Sequence, residues 1–262
     1  MSGFAANSLL CRLALAPGLI DAASFTTIRM CAGAATLGLL VRGSVSAGSW
    51  SSALALFAYA ILFSFAYLRI GAAVGALLLF GAVQITMVGV GLRTGERPRP
   101  VEWIGLAVAL LGLVALTAPG LSAPDAVGCG LMVAAGIAWG IYSLRGRRAG
   151  DPLRTTAGNF LRTVPLVLAT SLLLMDQTHL SPMGMVYAVA SGALASGVGY
   201  SLWYAALRGL TATRAAIAQL AVPVIAALAA VPLLHESITW RLMLAGSAIL
   251  VGVGLACLSP KR

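Results

Sequence analysis

Residues Ile217–Leu234 read IAQLAVPVIAALAAVPLL, and Leu131–Ala138 read LMVAAGIA. Neither run carries a charge, and neither alternates apolar with polar residues. A strand crossing a bilayer within a barrel needs about 10 residues of alternating character. A helix crossing it needs about 20 predominantly apolar residues. Continuous apolar runs therefore predict spanning helices. Working outward gives ten runs, over 3–16, 22–41, 50–69, 72–92, 101–119, 126–144, 155–175, 183–207, 212–233 and 238–258. Short segments rich in Gly, Pro, Asp and Arg separate them, such as Arg93–Pro100 and Arg145–Pro152. The first run is the weak one, because Pro17 closes it early and it includes Asn7 and Arg12. No gap is long enough for a soluble domain.

Composition agrees. Hydrophobic residues make up 60% of the chain and charged ones 9%, against roughly 25% charged in soluble domains. Such a chain cannot cover its outside with polar side chains, so the outside is expected to face lipid. The net charge of +10 would suit nucleic acid if it formed a basic stripe. Instead Arg42, Arg93, Arg97, Arg99, Arg145, Arg147, Arg148, Arg154, Arg208, Arg214, Lys261 and Arg262 cluster at alternate ends of the runs. That is the positive-inside pattern of a membrane protein; it predicts a cytoplasmic C-terminus and no nucleic-acid partner. The N-terminus lacks a basic leader and cleavage site, so the first run is expected to act as its own insertion signal. Cys11, Cys31, Cys129 and Cys257 lie in or beside apolar runs with no C-x-x-C spacing, which predicts packing residues and neither disulfide nor metal site.

A weak internal repeat runs through the chain. Phe25–Arg29 (FTTIR) and Gly158–Arg162 (GNFLR) stand 133 residues apart, and the same offset pairs Arg12 with Arg145. Gly105 to Pro119 and Gly246 to Pro260 both read as glycine, apolar helix, proline. Each is preceded by an acidic residue, Glu96 or Glu236. Runs one to five thus predict a repeat as runs six to ten, in units 1–119 and 126–258. Five is odd, so the second unit must be inverted in the membrane, as in many secondary transporters.

With these residues in view, the chain resembles the drug/metabolite transporter superfamily in its EamA-like branch. The carrying residues are Asn7–Arg12 (NSLLCR), Phe25–Arg29, Gly95-Glu96 with Gly105, and Ala221-Val-Pro223 followed by His235-Glu236 and Gly246. The first half has Gln84 or a neighbour where the second has Pro223, so the halves differ there. The resemblance implies an all-α ten-helix bundle of two inverted units around a central cavity. It also implies export of metabolites or amino-acid-like compounds, driven by protons or by exchange.

Candidate site residues follow from polarity inside apolar runs. Charges within a bilayer tend to be paired or functional, which singles out Arg29 and Arg162; each also reads as an interfacial anchor. Amides in hydrocarbon must face the bundle, which adds Asn7, Gln84, Asn159 and Gln219. Trp139 and Tyr142 share a helix face, and with Tyr200 they suit an amphipathic solute. Trp203 and Tyr204 read as interfacial anchors. No acidic residue is read deep in a span; coupling or gating therefore falls to Glu96, His235, Glu236 and Pro223, although Glu96 and Glu236 also read as caps of helix N-termini. Phosphate-loop and zinc-protease motifs are absent. Two histidines at loop edges do not make an intramembrane enzyme. The expected function is a secondary transporter, most simply an exporter, in a bacterial inner membrane. Its partners would be a small-molecule solute and the bilayer, with no cofactor and homodimerisation left open. A non-transporting scaffold and a sugar-phosphate-type permease are the alternatives.

Overall fold

A computed structural model of the chain describes residues 1–41, 45, 47–118, 125–234 and 238–258. Helices occupy every apolar run. They are α1 (Ser2–Leu15), α2 (Ala22–Leu40), α3 (Trp50–Tyr67), α4 (Ala72–Arg93), α5 (Pro100–Thr117), α6 (Ala126–Gly146), α7 (Pro152–Leu173), α8 (Pro182–Leu207), α9 (Ala212–Leu233) and α10 (Trp240–Cys257). Among the described residues the only β contact is an isolated bridge between Ile20 and Leu180.

The ends of the helices are written in their caps. Asp21, Ser49, Asp125, Asp151, Ser181, Thr211 and Thr239 each accept a backbone N–H from the first turn that follows, which satisfies one of the donors a helix start leaves open. Pro100, Pro152 and Pro182 occupy first-turn positions where no N–H is needed. Gly95, with φ of 89°, turns the chain out of α4.

Among the described residues, eight helices are long and apolar enough to cross a bilayer, namely α2–α6 and α8–α10. The other two fall short for different reasons. α1 has 14 residues, about 21 Å of helix against a hydrocarbon core of about 30 Å. α7 has 22 residues but carries Arg154, Arg162 and several threonines, which lower its hydropathy. The outward faces are apolar, with Ile85, Leu111, Leu194 and Leu202 all exposed, as a lipid-facing surface requires.

Packing pairs helices from α1–α5 with helices from α6–α10. α2 lies against α7, α4 against α9, and α5 against α10. The contacts of α3 with α6 are matched by those of α8 with α1, and those of α4 with α6 by α9 with α1. The α5–α10 seam is built from Gly105, Ala109 and Gly112 against Ala245, Ile249, Gly252 and Ala256. Close backbone approach of this kind supplies the dispersion contacts that hold helices together in lipid.

Two helices are irregular. α8 widens to π-helical geometry over Ser191–Val198, a rare feature that often marks functional positions. α9 breaks at Leu220. Pro223 has no N–H to offer the Gln219 carbonyl, and its ring crowds that carbonyl.

Candidate functional site

The centre of the bundle is organised around Arg29. It lies about 10 Å along α2 from Ala22, at 1.5 Å of rise per residue, and is wholly buried. Its Nε donates to Ser196 Oγ at 2.9 Å and its Nη2 to the Tyr200 hydroxyl at 2.6 Å. Its Cζ stands 5.7 Å from the Tyr59 ring centroid. The remaining nitrogen, Nη1, has no hydrogen-bond partner, and no carboxylate pairs with the guanidinium among the described residues.

The π-helical stretch makes this geometry possible. Ser196 and Tyr200 are one turn apart on one face of α8, aimed at α2. Gly192 lets the two backbones meet: a Cβ there would overlap the Arg29 carbonyl. Gly33 leaves room in the same way for the Phe160 ring.

Aromatic rings enclose the arginine. Trp139 lies 4.8 Å, centroid to centroid, from both Tyr59 and Tyr200. Phe160 is 5.9 Å from Tyr200, and Phe4 lies edge-on to Trp139 at 5.2 Å. Trp139 is held by its indole N–H, which donates to Gln219 Oε1 at 2.6 Å; Gln219 Nε2 in turn donates to the Ala215 carbonyl. Tyr142 continues the cluster, 5.7 Å from Trp139 and 5.0 Å from Tyr204. The Tyr142 hydroxyl and Asn159 Nδ2 are buried without hydrogen-bond partners, while Asn159 Oδ1 accepts from Ser49 N at 3.0 Å.

Of the residues expected from sequence, Arg29, Trp139, Tyr142, Asn159, Tyr200 and Gln219 thus come together. Four others do not join them. Arg162 donates to the carbonyls of Ala47 and Gly158, at 2.9 and 2.8 Å, so it anchors the α2–α3 loop. Asn7 accepts from Ser191 at 2.7 Å, tying α1 to α8. Gln84 Nε2 donates to the Ala216 carbonyl at 2.8 Å, with its Oε1 left over. Glu96 caps α9 through the N–H groups of Ala212 and Thr213, and pairs with Arg147 at 3.0 Å. His235 and Glu236 lie outside the described residues. Trp203 and Tyr204 are buried and donate to Ser143 Oγ and the Tyr142 carbonyl; they lock α8 to α6 and are not membrane-surface anchors.

Cavities flank this cluster on two sides. At the arginine-rich end a vestibule of about 870 Å³ is lined by Arg145, Arg147, Arg148, Arg208, Ser52 and Glu96, among others. At the other end a pocket of about 540 Å³ is lined by Arg12, Tyr67, Ile70 and the start of α4. It adjoins a narrower groove of about 230 Å³ that shares Arg12 and Tyr67 and reaches Pro223.

Residues 126–258, just over half of the chain, match the EamA-like transporter family. The chain belongs to that family. This EamA-like protein is 48% identical to the Uncharacterized protein PA1977 of Pseudomonas aeruginosa over 266 residues, covering 100% of this chain and 92% of that one. It is 32% identical to the threonine/homoserine exporter RhtA of Escherichia coli over 160 residues, which is 58% of this chain and 53% of the exporter. The exporter of the same name in Salmonella typhimurium is also 32% identical, over 63% of this chain and 57% of its own. The match therefore spans little more than half the length of these exporters. A solved crystal structure at 23% identity superposes with a TM-score of 0.82 over 99% of this chain and 98% of that one, so the fold is shared. Family membership together with the apolar helices makes the chain an integral membrane transporter of small solutes.

The EamA-like bundle also holds an ion pair that the sequence reading missed. Glu102, in the first turn of α5, meets Arg214, in the first turn of α9, at 2.5 Å, with both side chains buried. The sequence pattern counts Arg214 only among the arginines at the ends of the runs and gives Glu102 no role. The signal was present: Glu102 sits three residues after Arg99, the position from which a glutamate reaches back to the N-cap N–H, and its Oε2 accepts there at 2.9 Å.

Proposed function

We propose that this protein is a secondary transporter that exports a small organic metabolite by alternating access, with the solute site at Arg29 and the aromatic rings around it. Residues 1–119 and 126–258 form two inverted five-helix halves that rock about this centre, and α1 and α7 complete the membrane-embedded bundle. The observation that carries the reading is Arg29: an arginine buried at the heart of a membrane bundle, with an Nη1 that makes no hydrogen bond and no carboxylate partner among the described residues. Charges this deep mark substrate pathways more often than scaffolding.

Three further features support it. Most of the helix pairs, among them α3–α6 with α8–α1 and α4–α6 with α9–α1, recur when each helix is exchanged for the one five places on, as a repeat requires. Cavities lie on both sides of the closed aromatic cluster, the arrangement of a site between two gates. The arginine-rich end suits the cytoplasmic face of a bacterial inner membrane. The sequence similarity to threonine/homoserine exporters agrees with a solute of metabolite size. A sugar-phosphate permease is less well served, because Arg162 is committed to carbonyls and leaves Arg29 without a second cation for a phosphate.

The test is efflux of a labelled metabolite panel from cells lacking or overproducing the protein, followed by Arg29→Gln. Loss of efflux for one solute class at normal expression is expected. Unchanged efflux for every solute would remove Arg29 from the pathway.

A further inference from the structure

We propose that the solute held by Arg29 is an organic monocarboxylate that crosses as an anion, so that each transport event moves one net negative charge. This rests on the reading of Arg29 as the solute site and adds the chemistry of what binds there.

The case begins with charge. A guanidinium taken out of water is costly unless an anion or a full set of acceptors meets it. Arg29 meets the hydroxyls of Ser196 and Tyr200 and the side chain of Tyr59, all neutral groups, and its Nη1 makes no hydrogen bond. The acidic residues that are described are engaged elsewhere or remote. Glu102 pairs with Arg214, Glu96 pairs with Arg147 and caps α9, and Asp21, Asp125 and Asp151 cap helices. Asp176 is exposed in the turn after α7. The bundle therefore holds a positive charge at depth that a solute can neutralise. A carboxylate matches the planar fork of an arginine, taking two parallel N–H bonds.

The unpaired atoms point the same way. Among the described residues four buried side-chain polar atoms lack partners: Arg29 Nη1 and Asn159 Nδ2 are donors, the Tyr142 hydroxyl can donate, and the acceptor Gln84 Oε1 lies apart from the cluster. A site with spare donors selects a group rich in acceptors. It does not serve an ammonium, which would face the charge of Arg29 and find no carboxylate among the described residues. Amino-acid zwitterions are thereby disfavoured against simple acids. Tyr59, Trp139, Tyr200 and Phe160 give flat apolar walls for the organic body, which favours an aryl or branched acid.

Charge outside the site agrees. The vestibule lined by Arg145, Arg147, Arg148 and Arg208 contains Glu96 as its acid, and such a mouth concentrates anions. With this end in the cytoplasm, an inside-negative membrane potential drives an anion outward. Each 100 mV supports about a fifty-fold concentration ratio. Outward movement then needs no proton-carrying carboxylate in the spans, and Glu102 remains in its ion pair.

The experiment uses the full chain reconstituted in proteoliposomes on a solid-supported membrane. Currents are read after concentration jumps of phenylacetate, isovalerate, phenylacetamide and phenylalanine. Leak of the uncharged acid is electrically silent, so a current reports anion movement. Saturable currents are expected for the two acids and none for the amide or the zwitterion, with a loss of at least tenfold in Arg29→Gln. Should that variant fail to fold, as read by its thermal midpoint, Arg29→Lys keeps the charge; it is expected to retain current with a raised half-saturation concentration. Arg29-dependent flux of labelled phenylalanine or phenylacetamide without current would overturn the anion inference while leaving the transporter reading intact. Absence of any Arg29-dependent flux or current would overturn both.

Discussion

Arg29 and Arg162 look equivalent in sequence, each closing a similar pentapeptide, yet their surroundings differ. Arg29 meets side-chain hydroxyls and a ring, whereas Arg162 donates through Nη1 to the carbonyl of Ala47 ahead of α3 and to that of Gly158 in its own helix. A one-dimensional pattern locates a charge in an apolar run but not the groups that other helices bring to it. The same limit explains Trp203 and Tyr204, since an aromatic near a helix end reads alike whether it meets headgroups or a neighbouring helix. Glu102 and Arg214 give a quantitative expectation. Arg214→Met leaves a buried carboxylate unpaired and should cost about 3–5 kcal/mol, whereas Glu102→Leu with Arg214→Met removes both charges and should be close to neutral or stabilising. Thermal unfolding of the three proteins in one detergent measures this. Equal midpoints for the single and double variants would mean that the pair is not desolvated.

The starts of the helices were legible because Asp21, Ser49, Asp125, Asp151, Ser181, Thr211 and Thr239 are side chains that favour caps in any context. The π-helical widening of α8 was not. It arises where Gly192 meets the Arg29 backbone and Gly33 meets Phe160, contacts between residues far apart in the chain. Two glycines inside helices therefore carry opposite expectations. Gly192→Ala would push a methyl into the Arg29 carbonyl, force α2 and α8 apart, and cost at least the 1–3 kcal/mol or so typical of overpacking. Gly81→Ala, in α4, places its methyl where no atom lies within 4 Å and should stabilise by about 0.5–1 kcal/mol through helix propensity. Midpoints shifting in opposite directions are the expected result. A tolerated Gly192→Ala would mean that α2 and α8 are not in close contact.

At the level of the bundle, apolar length alone identifies the eight helices that meet the demands of a bilayer, and it leaves α1 and α7 in doubt. What brings those two into the bundle is packing: α7 lies on α2 and α3, and α1 on α8 and α9. Relative orientation is set by the crossings between equivalent points of the two units, and between residues 17 and 150 these are α2 to α6; an odd number inverts the second unit and an even number does not. The offset of 133 residues turns this into a measurement. Pro17 follows α1 and Gly150 follows α6; both are exposed, and a Cβ at Gly150 meets no neighbour within 4 Å. In a background without the four native cysteines, Pro17→Cys should react with a membrane-impermeant maleimide added outside intact cells. Gly150→Cys should react only after the membrane is opened, since it lies beside Arg147 and Arg148 at the end expected to face the cytoplasm. If both sites label from the same side, α2 to α6 cannot be five crossings. The two halves would then be parallel copies, and a centre shared between inverted repeats would lose its geometric basis.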